Sequence, residues 1–315
     1  MKHRHHLPQL DGGLFLTDGG IETTLIFHEG LDLPLFAAFD LLKDDQGTDA
    51  LRRYFEPYAV LAREHGLGFV LESPTWRASP RWAAELGYSE QDLDKLNRKA
   101  IALMEEIRGR HESSDAPIVI SGCVGPQDDG YNPSQMLSAA DAQDYHSTQI
   151  GTFSETAADM VTAITMTYVE EALGVTRAAI ATGMPVAISF TVETDGRLPS
   201  GQGLGDAIDQ VDDETDRGPA YYMINCAHPT HFEGTVATAE PWRERIHGVR
   251  ANASTMSHAE LDEATELDDG DPADLGARYA ALAAKLPNLN VLGGCCGTDH
   301  RHVREACEAW PTDQR

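Results

Sequence analysis

Eight short β-rich runs, each followed by a turn and a helix-length stretch, recur along the chain and restrict its fold more than any other feature. They occupy 14–20, 69–75, 118–123, 160–165, 186–192, 221–226, 246–252 and 289–292. Between them apolar residues recur at helical spacing. Leu51, Tyr54, Phe55, Tyr58, Leu61 and Ala62 share one face, as do Leu93, Leu96, Ala100, Leu103, Met104 and Ile107. Further helix-like stretches cover 138–158, 169–182, 204–215, 274–285 and 300–308. Strands alternating with helices require a parallel sheet. Eight of them in 315 residues suit an α/β chain closed as a single-domain (β/α)8 (TIM) barrel. A doubly wound sheet is the competing architecture. It would carry a G-x-G-x-x-G phosphate fingerprint after the first strand, and that strand is followed by Asp18-Gly19-Gly20 instead. The fragment Gly201-Gln202-Gly203-Leu204-Gly205 reads as a plain loop. Residues 1–13, opening on Met1-Lys2-His3-Arg4-His5-His6, read as a frayed tail, and 14–315 as the barrel.

Charge excludes several partners. Lys and Arg total 24 against 51 Asp and Glu, a net of −27. Such a surface repels nucleic acid and anionic lipid, and it keeps the chain soluble; at high salt, screening would relieve its self-repulsion. No apolar run is long enough to span a bilayer, and no signal-peptide core follows the basic start. Five cysteines (Cys123, Cys226, Cys295, Cys296, Cys307) are an odd count that argues for metal or catalytic use in the reducing cytoplasm rather than a disulfide framework.

In a barrel of this kind the working groups stand where strands end and βα loops begin. Gly293-Gly294-Cys295-Cys296-Gly297-Thr298 occupies such a position after the eighth run. Adjacent side chains on a strand face opposite ways, so two neighbouring sulfurs reach one target only if the backbone leaves strand geometry, which the glycines permit. Cys226 ends the sixth run and opens onto the same mouth. Three thiolates with an open fourth position suit a catalytic zinc ion. Cys123 and Cys307 are expected to act as small buried hydrophobes.

These motifs also carry a family resemblance. Asp18-Gly19-Gly20, Asn225-Cys226-Ala227-His228-Pro229 and Gly293-Gly294-Cys295-Cys296-Gly297-Thr298 together resemble the homocysteine S-methyltransferase family. That family includes betaine- and S-methylmethionine-dependent enzymes and the homocysteine-binding part of cobalamin-dependent methionine synthase. The resemblance runs from about residue 14 to about residue 305. It implies a barrel whose zinc is held by Cys226, Cys295 and Cys296, and a methyl group passed from a sulfonium or quaternary ammonium donor to a thiol, by default homocysteine. It further implies Asp18 as a ligand of the substrate ammonium and Asn252 as a polar contact. A cationic donor would favour aromatic faces, and Trp76, Tyr168 and Phe190 lie near strand ends.

One position departs from the family. A glutamate usually ends the fourth strand and holds the substrate ammonium; here Ile164 stands in its place. Glu72 and Glu193, at the ends of the second and fifth runs, are the substitute carboxylates to test. Each has a simpler alternative as a salt-bridge partner of Arg77 or Arg197. Two other functions remain open at this level: hydrolysis at the same zinc with His228 or Glu193 as base, and a zinc-binding barrel without catalysis.

Overall fold

The computed structural model describes residues 2–311; Met1 and positions 312–315, the last four of the expected barrel span, lie outside the described residues. Eight parallel strands close on themselves in chain order. They are β1 (Phe15–Leu16), β2 (Gly68–Glu72), β3 (Ile118–Val124), β4 (Met160–Met166), β5 (Val186–Thr191), β6 (Tyr221–Asn225), β7 (Ile246–Ala251) and β8 (Val291–Gly294). Closure is made by β1 pairing β8, with Phe15 opposite Val291. The surrounding helices include α1 (Asp45–Glu64), α2 (Glu90–His111), α3 (Ala139–Ser154), α4 (Val169–Thr182), α5 (Leu204–Thr215), α6 (Pro229–Phe232), α7 (Pro272–Ala283) and α8 (His300–Ala309). Side chains cap their first turns: Asp44 accepts from Gly47 N, Ser89 from Asp92 N and Ser138 from Asp141 N. No helix of the described residues is long and apolar enough to cross a membrane.

Strand periodicity places the site. Phe15, Val70, Val119, Met160, Ala187, Met223 and Val291 fill the lower barrel as one apolar layer. Two residues further along each strand the next inward position follows. There the sequence changes character, to Thr17, Glu72, Ser121, Thr162, Ser189, Asn225 and, on β7, Arg250. These residues touch one another. Ser121 and Thr162 hydroxyls lie 2.7 Å apart, Ser189 Oγ donates to Asn225 Oδ1 at 2.7 Å, and Arg250 Nη1 donates to Thr17 Oγ1 at 2.7 Å. A polar layer thus rests on an apolar floor, beneath the strand ends where the cysteines stand.

The first residues are not a frayed tail. The open lower end of the barrel would leave apolar side chains wet, and this segment covers it. Leu7 joins the floor cluster and Gln9 is fully buried. Lys2 N and His3 N donate to Asp159 Oδ1 at 2.7 and 2.8 Å, and the Arg4 guanidinium donates to the carbonyls of Ser154, Thr156 and Ala158. Asp159, wholly buried, also pairs with Arg108 at 2.7 Å. Asp159→Ala leaves Arg108 and three backbone donors, those of Lys2, His3 and Ile120, without their anion. It is expected to cost about 3–5 kcal/mol, read from urea denaturation.

Candidate metal centre

Backbone geometry gathers the three sulfurs. β6 ends at Asn225, and Cys226 then adopts φ +56°, a left-handed conformation that L-residues rarely take. That turn aims its side chain into the mouth. Asn225 braces it: its amide donates to Thr165 Oγ1 at 2.9 Å while Thr165 N donates back to Asn225 Oδ1 at 2.9 Å. Cys226 N donates to Arg250 O at 3.0 Å and Cys295 N to Ala251 O at 2.8 Å, so β7 registers both arms. Of the glycines around the vicinal pair, Gly293 and Gly294 complete β8, and the turn itself is made at Gly297, φ +75°. The Asp18-Gly19-Gly20 turn packs against this arm: a Cβ on Gly20 would stand 2.4 Å from Cys295 O.

The Sγ atoms of Cys226, Cys295 and Cys296 lie within 4.8 Å of one another, with Cys226 and Cys296 at 3.5 Å. Among the described residues this is the group of His, Cys, Asp and Glu side chains able to hold a metal ion. The donor set fits a soft, thiolate-binding divalent cation. Sulfurs sharing one tetrahedral zinc ion stand about 3.8 Å apart, given its usual bond lengths. Hydrogen bonds from Cys226 and Cys295 hold the Cys296 thiol well below its ordinary range, whereas burial pushes Cys226 up.

Four residues that the sequence did not single out complete the mouth. Tyr131, on the loop after β3, brings its hydroxyl to 2.8 Å from Cys226 Sγ and 3.3 Å from Cys296 Sγ. Its ring stacks on His258 at 4.2 Å between centroids. His258 Nε2 bonds Cys226 O at 2.7 Å, and its Nδ1 meets Glu193 Oε1 at 3.1 Å. Asp128 ties the Tyr131 loop down by accepting from Ser134 N, Gln135 N and Arg81 Nη1. Arg250, 7 % exposed, pairs with Asp18 Oδ1 at 2.8 Å and donates through Nε to Gly294 O at 3.1 Å.

The expected substrate contacts divide accordingly. Asp18 is at the mouth but engaged: Oδ1 by Arg250 and Thr17, Oδ2 by the Tyr54 hydroxyl at 2.9 Å. Glu72 is buried and its Oε2 has no hydrogen-bond partner; burial, opposed mainly by Arg250, pushes its carboxyl up to about 7. Glu193 supports His258 rather than an arginine side chain. Asn252 is buried beside the site, its side-chain carbonyl accepting from Ser254 N at 3.0 Å. Ile164 is also buried, and its carbonyl accepts from Trp76 Nε1 at 3.2 Å.

Of the three aromatics, Trp76 is half-buried beside the Tyr131 loop, within 3.1 Å of where a Cβ on Gly130 would stand. Phe190 stacks on Tyr222 in the core, and the Tyr168 hydroxyl accepts from Leu137 N. His228 caps α6 through Thr230, and burial lowers its pKa to about 4. Glu22, near Cys296 and Asp18, is pushed up to about 8, chiefly by burial. Cys123 and Cys307 are buried, Cys307 in the main core.

Comparison with known proteins agrees with this geometry. The metallated form of the Escherichia coli homocysteine methyltransferase MmuM superposes with a TM-score of 0.71 at 18% identity, over 95% of this chain and 97% of that one. Its oxidized form gives 0.70 at 19% identity, over 94% and 95%. At this identity the likeness shows a shared fold. No curated relative matches the chain significantly in sequence. The sequence profile described as Homocysteine S-methyltransferase, however, matches residues 15–310, nearly the whole barrel and all three clustered cysteines. The chain is therefore an enzyme of the homocysteine S-methyltransferase family.

Proposed function

We propose that the protein moves a methyl group from a sulfonium or quaternary ammonium donor to the thiol of homocysteine, with zinc held by Cys226, Cys295 and Cys296. The observation that carries this is the three-sulfur cluster at the C-terminal end of the barrel. Zinc, when bound, favours the thiolate form of a substrate thiol near neutral pH. The chain's own residues do the rest. The polar layer beneath the cysteines receives the amino-acid end of the acceptor, and Glu72 faces its ammonium in place of the missing strand-four carboxylate. Asn252 contributes polar surface, while Asp18 and Glu193 hold Arg250 and His258 in place.

A cationic donor approaches a rim that carries Asp129 and Asp262, with Trp76 and Tyr131 offering aromatic faces. The substrate sulfur supplies the electron pair for the new S–CH3 bond, and the donor's sulfonium or ammonium keeps the pair from the bond that breaks. Orientation and exclusion of water are the protein's contribution. Tyr131 lies against Cys226 and Cys296, so its hydroxyl must withdraw as the thiol arrives. The hydrolytic alternative gains little from its bases: Glu193 is held by His258, and His228 caps α6 through Nδ1 and Thr230.

The test is a panel of thiols with S-methylmethionine and betaine as donors, assayed with zinc-loaded and zinc-stripped protein. Methionine formed from homocysteine by the loaded protein alone is the expected result. Loaded protein inert toward every thiol would overturn the proposal.

A further inference from the structure

Arg250 is the cation of the barrel's inward polar layer, and its contacts converge on the metal centre from three sides. Its carbonyl accepts from Cys226 N at 3.0 Å. Its Nε donates at 3.1 Å to Gly294 O, the peptide that leads directly into Cys295. Its Nη1 pairs with Asp18 at 2.8 Å and Nη2 donates to Gly19 O at 3.2 Å, fixing the turn whose next residue, Gly20, packs on Cys295 O. The guanidinium fork is rigid and planar, so these bonds define one position for the strand end rather than a range of them.

Charge points the same way. Three thiolates around a divalent cation carry a net negative charge, and a substrate thiolate adds another. In a buried site such an excess is costly unless a cation stands near. Arg250 is a buried cation at this end of the barrel, bonded to the carbonyl of the residue that precedes Cys295.

We infer that Arg250 is a positioning residue of the metal centre, fixing both the Gly294–Cys295 peptide and the Asp18–Gly20 turn that packs on it. The inference rests on the zinc reading above. It assigns Asp18 a second task, that of holding the guanidinium.

Two variants test it. Arg250→Lys keeps a cation opposite Asp18 but gives up the fork that reaches both Asp18 and Gly294 O. The double substitution Asp18→Asn with Arg250→Gln removes both charges of that pair together and is compared with Asp18→Asn alone. Zinc affinity is measured by competition with a chromophoric chelator, with circular dichroism as the check on folding. Groups that support metal ligands from behind typically cost about 10–100-fold in metal affinity when replaced, and the double variant is expected in that range. Arg250→Lys should recover part of the loss, which a role in folding alone would not predict. Affinity within twofold of wild type in Arg250→Lys overturns the inference, even if the double variant does not fold. Affinity restored in the double variant overturns it as well, since Arg250 would then serve only to neutralise Asp18. Wild-type protein that binds no zinc would sink the metal assignment itself, a result distinct from either.

Discussion

Cys296→Ser is expected to empty the centre of metal and abolish methyl transfer while leaving the barrel folded. Cys296 is half-buried at the mouth and belongs to no core cluster, so the substitution disturbs little packing. Its effect on the ion is large. A serine hydroxyl stays protonated near neutral pH and offers a hard oxygen where a soft thiolate stood. Four-ligand zinc sites are worth about 10–16 kcal/mol, so one ligand represents about 3 kcal/mol, or about a hundredfold in affinity. Metal analysis of protein dialysed against a weak chelator should show close to one zinc per chain in the wild type and almost none in the variant. A variant that retains full metal would mean that Cys296 is not a ligand.

Glu72→Gln should separate stability from function. A buried carboxylate with an unpaired oxygen is costly, and its carboxyl stands at about 7 against an ordinary 4.5. The groups facing it are Arg250 and the hydroxyls of Ser121 and Thr162, which favour the charged form, and Asp18, which disfavours it; burial outweighs them. Because the folded-state pKa is raised, the carboxyl destabilises the fold progressively as pH rises from 4.5 to about 7, and fully above that.

At pH 8 the glutamine variant is therefore expected to be more stable by about 3 kcal/mol, roughly 5 °C in Tm, with the gain vanishing by about pH 4. Activity should move the other way. The ammonium of homocysteine needs the ionised carboxylate, so wild-type affinity for homocysteine should strengthen as pH rises through about 7. In the variant that dependence disappears and KM for homocysteine rises by about a hundredfold, while a thiol of the same length without an amino group is unaffected. Equal KM changes for both thiols would remove Glu72 from the ammonium site.

The sequence was most informative where local chemistry decides structure. Buried parallel strands read as continuous apolar runs, and the helices 169–182 and 204–215 coincide with Val169–Thr182 and Leu204–Thr215. The cysteine cluster was also legible, because glycines around a vicinal pair and a third cysteine at a strand end are local features. Tyr131 was not. It sits on a loop without periodicity, and its sulfur partners are 95 and 165 residues away. Arg250 could have been found: a single charge inside the run Ile246–Ala251, two residues past Gly248, marks an inward cation in a strand buried on both faces. Glu72 in Gly68–Glu72 carries the same signature. The N-terminal segment misled because what orders it is the floor of the assembled barrel, which no local pattern records.

The bracket between Asn225 and Thr165 bears on how this site can change over evolutionary time. It uses the backbone and hydroxyl of Thr165, next to Ile164, to hold the backbone that aims Cys226. Sequence drift at the end of β4 is therefore unequal. Thr165 is constrained through the cysteine it braces, whereas the neighbouring side chain, bound to none of that machinery, is free to lose its charge. Substrate preference can then be rewritten one residue away from a part that must stay fixed, with the carboxylate re-established on another strand and the sulfur chemistry left as it was.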